Sequence, residues 1–116
     1  MMEEKKSEHL LDSNINTMIL HIFKPTGEEL NLADKLEIDI TRVTISGIEF
    51  RTFFSLQKRM SFCFELPLSE DNKLVLVAEI SEVIEEKDDY LYKCKYLHLS
   101  SREEARINEY LHKHLV

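Results

Sequence analysis

Few residues in this chain carry chemistry, and their spacing is poor. Of five histidines, His112 and His114 stand two positions apart and so point in different directions on a helix. His9, His21 and His98 fall in separate segments, which leaves no metal-ligand spacing. Cys63 and Cys94 lack the C-x-x-C spacing of a redox pair and are too few for a four-cysteine zinc site or a disulfide framework. Both sit in alternating segments, where a small half-buried strand residue is the ordinary role of a reduced thiol. No Ser-His-Asp or Cys-His order can be written, so no acid, base or nucleophile is assigned and the chain reads as non-catalytic. The two glycines, Gly27 and Gly47, cannot build a P-loop or a G-x-G-x-x-G turn, and nucleotide sites of those kinds are excluded.

What remains is charge and aromatic surface. Twenty-two acidic residues against 15 basic ones give a formal charge of −7, which disfavours sequence-independent binding to nucleic acid or anionic lipid. Glu82, Glu85, Glu86, Asp88 and Asp89 read as a solvated hairpin turn. Phe53 and Phe54 adjoin, so both cannot face the inside of one strand; one is exposed or covers the end of the fold. With Arg51, Lys58 and Arg59 around it, an exposed ring there makes a protein interface, where aromatic and arginine side chains are enriched.

The elements that must position these residues are mostly strands. A length of 116 residues with 43% hydrophobic and 32% charged side chains fits one soluble domain with a single core. Residues 1–16 are polar and mixed in charge, a flexible or docking tail, and the domain is assigned to 17–116. Met18 to Phe23 alternate with apolar groups on both faces until Pro25-Thr26-Gly27 turns the chain. Leu36, Ile38 and Ile40 share a face, but Val43 and Ile45 take the opposite parity, so the strand bends near Thr41-Arg42. Gly47 permits a tight turn before Ile48 and Phe50. Met60, Phe62, Phe64 and Leu66 form the cleanest alternation, ending at Pro67. Leu74 to Ile84 and Tyr90 to Leu99 follow, separated by the acidic turn. Six antiparallel strands in a meander are expected, closed into a small barrel.

The period then changes. Ser101-Arg102-Glu103-Glu104 reads as a capping box, and Ile107, Tyr110, Leu111 and Leu115 make one apolar helical stripe. No run approaches the length of a membrane span, the longest being of the order of Leu74 to Ala78. The N-terminus lacks the apolar segment of a secretory signal, so the cytoplasm is expected.

Val77-Ala78-Glu79-Ile80-Ser81-Glu82-Val83-Ile84, the acidic turn, Tyr92-Lys93-Cys94-Lys95-Tyr96 and the capped helix resemble, in order and spacing, the C-terminal half of a PilZ domain. Ile45 to Phe50 extend the resemblance upstream, so that it spans most of residues 17–115. It implies a six-stranded barrel with a closing helix and, for typical members, cyclic di-GMP as ligand. In that family an R-x-x-x-R pair holds phosphates and stacks on guanine, and D/N-x-S-x-x-G supplies a polar cluster and a glycine. Here the second element maps to Arg42, Thr44 and Gly47, with Arg42 in place of the acid or amide. The first is missing: no arginine precedes Arg42, and Lys5-Lys6 cannot reproduce bidentate arginine geometry. Arg42 and Arg51 offer replacement charge, although arginine exposed on a strand face is the common case.

The resemblance therefore implies a regulatory or adaptor protein of bacterial cyclic di-GMP signalling, acting on motility or surface attachment through a protein partner. Weak or absent nucleotide binding is expected, and no other cofactor. Two other readings stand: a true receptor using Arg42, Thr44 and Gly47, and an unrelated barrel serving as a subunit or chaperone of a larger assembly.

Overall fold

A computed structural model describes residues 11–115 apart from Ala33 and Glu70. The elements run β1 (Leu11–Phe23), β2 (Leu36–Val43), β3 (Gly47–Thr52), β4 (Ser61–Ser69), β5 (Asn72–Glu85), β6 (Tyr90–Leu97) and α1 (Ser101–Leu115). The six strands close an antiparallel barrel, as their patterning predicts, but in the order β1-β2-β3-β6-β5-β4. This is not one meander. Two three-stranded meanders are joined edge to edge, β3 to β6 and β1 to β4, so the β3–β4 connection must cross the barrel's end. Strand alternation reveals which segments are strands, whereas their order depends on which edges meet.

Sequence parity is reproduced closely in β2 and β3. Leu36, Ile38 and Ile40 are buried, Val43 is buried on the opposite parity, and the β2–β3 register shifts between Ile40 and Arg42, where the bend is expected. In β1 a shift between Ile19 and His21 lets Ile19 and Ile22, three positions apart, both point inward. Residues 11–16, assigned to the tail on polarity, belong to this strand: Asn16 pairs with Asp39 and donates to its carboxylate at 3.0 Å. Residues 1–10, the rest of that tail and with it Lys5-Lys6, lie outside the described residues.

Three boundaries differ from expectation, each for a local reason. β4 runs past Pro67 to Ser69, a register shift beside the proline accommodating its missing N–H. β6 ends at Leu97 rather than Leu99 because His98 adopts a left-handed backbone, φ 54°. The capping box sits one residue earlier than read. The Ser100 hydroxyl accepts from the Glu103 N–H at 3.1 Å, and the Glu103 carboxylate accepts from the Ser100 N–H at 3.0 Å.

The core is one cluster. Phe50, Phe62, Phe64 and Tyr92 fill it with Ile19, Ile38, Ile40 and Ile80, all fully buried. Phe50 meets Phe62 edge-on, with centroids 5.4 Å apart. Ile107 and Leu111 of α1 join the cluster and Tyr110 packs against it half-buried, while the side chain of Leu115 lies outside the described residues. Among the described residues no helix is long and apolar enough to cross a membrane.

Candidate functional site

Antiparallel register lines up the charged residues of three strands. Arg42 of β2 stands opposite Glu49 of β3, and Glu49 opposite Lys93 of β6, giving an outward row of alternating sign. Two positions along β3, Arg51 stands opposite Leu91 of β6. These residues line a shallow groove of about 430 Å³, closed on its far side by Ile84 of β5. A smaller depression of about 220 Å³ continues from Arg42 and Lys93 to Thr44, Ser46 and Gly47. The structure thus brings Arg42, Thr44 and Gly47 together, with Arg51 on the same wall.

The two arginines of the groove already have partners. Arg42 Nη1 lies 3.8 Å from Glu49 Oε2. Arg51 bonds Glu86 and approaches Asp89 at 3.7 Å, both on the β5–β6 turn. That turn is therefore not simply solvated, as its composition suggests, because two of its carboxylates are spent on Arg51. Arg42 is thus paired with Glu49 and Arg51 with both Glu86 and Asp89, while Lys93 lines the groove with no ion pair among the described residues. A dianionic ligand needs a surplus of positive charge, or must displace these half-exposed pairs at about 0.5–1 kcal/mol each.

Thr44 and Gly47 act on the backbone. The Thr44 hydroxyl accepts from the N–H groups of Ser46 and Gly47 at 3.1 and 3.0 Å, and its own N–H donates to the Gly47 carbonyl at 2.9 Å. The hydroxyl's acceptor capacity is thus used by its own turn. Gly47 is required for a reason other than turn flexibility. A Cβ there would stand 1.8 Å from the Cys94 carbonyl oxygen, so β3 and β6 can pair this closely only over a glycine. Burial, helped by the charge of Glu49, pushes the Cys94 thiol well above its ordinary range, which suits an inert core residue.

Two tyrosines that sequence reasoning matched only as spacing prove to be anchors. The Tyr96 hydroxyl donates to the Thr44 carbonyl at 3.2 Å, fixing the β2–β3 turn. At the other end of the barrel the Tyr92 hydroxyl donates to the Phe54 carbonyl at 2.6 Å and accepts from the Leu56 N–H at 2.7 Å, pinning the β3–β4 crossover. Period two in Tyr92-Lys93-Cys94-Lys95-Tyr96 signals a common face for the tyrosines, but their hydroxyl partners lie more than 35 residues away. Lys93 and Glu49, which lie within the resembling segments but carry no role there, become part of the groove through register.

The expected interface residues divide. Arg51 turns to the acidic hairpin, while Phe53 and Phe54 are both exposed, at 79% and 57%, where one was expected to be exposed or to cover the barrel's end. Lys58 and Arg59 are exposed on the same crossover. Among the described residues no group of three or more His, Cys, Asp or Glu side chains is arranged for a metal.

No protein-family model matches the chain, and no curated protein matches it. Solved structures do. The PilZ domain with c-di-GMP of YcgR from Escherichia coli is similar at 14% sequence identity and a TM-score of 0.59, covering 86% of this chain and 88% of that one. The K. pneumonia MrkH–c-di-GMP complex is similar at 13% identity and a TM-score of 0.60 over 91% of this chain, which spans 50% of that one. With the barrel, its strand order and the C-terminal helix in place, the chain has the fold of a PilZ domain.

Proposed function

We propose that this chain is a non-catalytic PilZ-like regulatory protein of bacterial cyclic di-GMP signalling, acting mainly through contacts with a partner protein. Motility or surface-attachment machinery in the cytoplasm is the setting this reading favours. The observation that carries it is a fold shared with PilZ structures solved with cyclic di-GMP, combined with a groove whose arginines are already held by Glu49, Glu86 and Asp89. Exposed Phe53 and Phe54, beside Lys58 and Arg59, supply the contact surface.

A second reading has a specific observation in its favour. The groove of about 430 Å³ and its extension gather Arg42, Arg51 and Lys93 on one wall, as a receptor with a non-standard site would require. Calorimetric titration with cyclic di-GMP separates the two. The adaptor reading expects no saturable heat up to about 100 μM ligand, a binding free energy weaker than about −5.5 kcal/mol. Micromolar binding that Arg42→Ala abolishes would overturn it in favour of the receptor.

A further inference from the structure

β5 has 14 residues, and its two neighbours cover it unequally. Pairing with β4 stops at Ser61 opposite Glu79, and the last backbone bonds on that side run from Ile80 N to Met60 O at 2.9 Å and from Arg59 N to Ile80 O at 2.8 Å. Pairing with β6 continues to Glu85 opposite Tyr90. Residues 81–85 therefore present a free strand edge. Among the described residues, no backbone hydrogen bond joins them to any segment but β6. A free edge of this length is a template for another strand, by backbone pairing that every sequence can supply.

The charges around the edge say which strand. Lys58 and Arg59 flank the Ile80 end, both exposed and neither ion-paired among the described residues. Arg59 is held in a left-handed conformation, φ 75°, by its bond to the Ile80 carbonyl, which keeps the basic pair at that end. At the opposite end stand exposed Glu85 and, in the turn beyond it, exposed Lys87 and Asp88, which leaves one acid in excess there. An edge with two cations at one end and a net negative charge led by Glu85 at the other is complementary to itself when reversed.

We propose that the chain self-associates through this edge, a second copy supplying the missing strand. Antiparallel pairing about a two-fold axis at Val83 places Ser81 of one copy opposite Glu85 of the other. Glu85 then comes beside Lys58 and Arg59 of the other copy, and the contact occurs twice, as an isologous interface requires. In the same register Glu82 faces Ile84, so no like charges stand directly opposite.

Sedimentation equilibrium of the full chain from about 1 to 300 μM, at low and at high salt, tests this. A dimer that weakens with salt is expected. Lys58→Glu with Arg59→Glu should weaken it about tenfold or more, and Glu85→Lys by a similar factor, each variant keeping the far-UV dichroism of the parent. Mixing the two variants should restore the dimer, because each reversed charge then meets its opposite. A chain that stays monomeric throughout overturns the proposal and makes Glu82 and Glu85 guards of the edge. A dimer that either variant leaves unchanged, or that mixing fails to restore, overturns it equally.

Discussion

Gly47 and Thr52 bound one six-residue strand, and the barrel is built differently beyond each of them. Beyond Gly47 lies a polar turn whose groups are consumed internally: Thr44 satisfies Ser46 and Gly47, Tyr96 holds Thr44, and the Cys94 carbonyl fills the space a side chain would need. Beyond Thr52 the chain crosses the barrel's end, held from beneath by Tyr92, and leaves two phenylalanine rings in water. The first end is closed by packing and hydrogen bonds. The second is anchored just as firmly through its backbone but keeps its side chains outward. Rigid backbone with exposed rings suits recognition, since little order has to be created on binding.

The largest test of this contrast is Gly47→Val. With a Cβ only 1.8 Å from a backbone oxygen, β3 and β6 must separate, and a loss of about 4 kcal/mol or failure to fold is expected in a denaturant melt. A variant that melts like the parent would show that the close approach is not structural. Tyr92→Phe probes the other end: two hydrogen bonds disappear and two backbone groups of the crossover lose their partner, costing about 2 kcal/mol. Faster proteolysis at residues 53–59 should accompany it, and unchanged cleavage would mean that something else holds the crossover.

Alkali offers a third comparison. The Cys94 thiol stays protonated in the fold at pH values where the unfolded chain, with its ordinary value of 9.0, releases its proton. Above that pH the native state binds more protons than the unfolded one. The contribution of this group to stability is therefore full below pH 9 and declines as pH rises, by about 1.4 kcal/mol per pH unit. Cys94→Ala should flatten the decline, and an identical slope in that variant would assign the effect elsewhere. The smallest change is expected from Phe53→Ser with Phe54→Ser. The stability shift should stay within about 0.5 kcal/mol, because both rings are exposed, while the adaptor reading expects partner capture to be lost. A large drop in melting temperature would place the rings in the fold rather than on its surface.

Much of the fold is legible in alternation. The Phe62, Phe64, Leu66 face of β4 and the parity switch at Thr41 follow from side-chain period alone, because a strand that reverses its buried face must bulge. The helix and its stripe at Ile107 and Leu111 are equally plain, although the cap falls on Ser100 because that hydroxyl, not the neighbouring one, reaches the N–H three residues on. Of the site, Arg42, Thr44 and Gly47 are legible through family spacing. Their roles are not, since Thr44 is bound within its own turn and Arg42 is paired across strands with Glu49.

Local chemistry by itself determined that the chain is mainly β with a C-terminal helix, that its two glycines form neither a P-loop nor a G-x-G-x-x-G turn, and that it carries an acidic surplus of −7 with no arginine ahead of Arg42. Only the tertiary structure decided the strand order, the matching of Arg51 with Glu86 and Asp89, the exposure of both phenylalanines and the free edge of β5. The reason is physical. Periodicity and caps are written within a few residues, whereas register, ion pairing and edges depend on which distant strand arrives alongside.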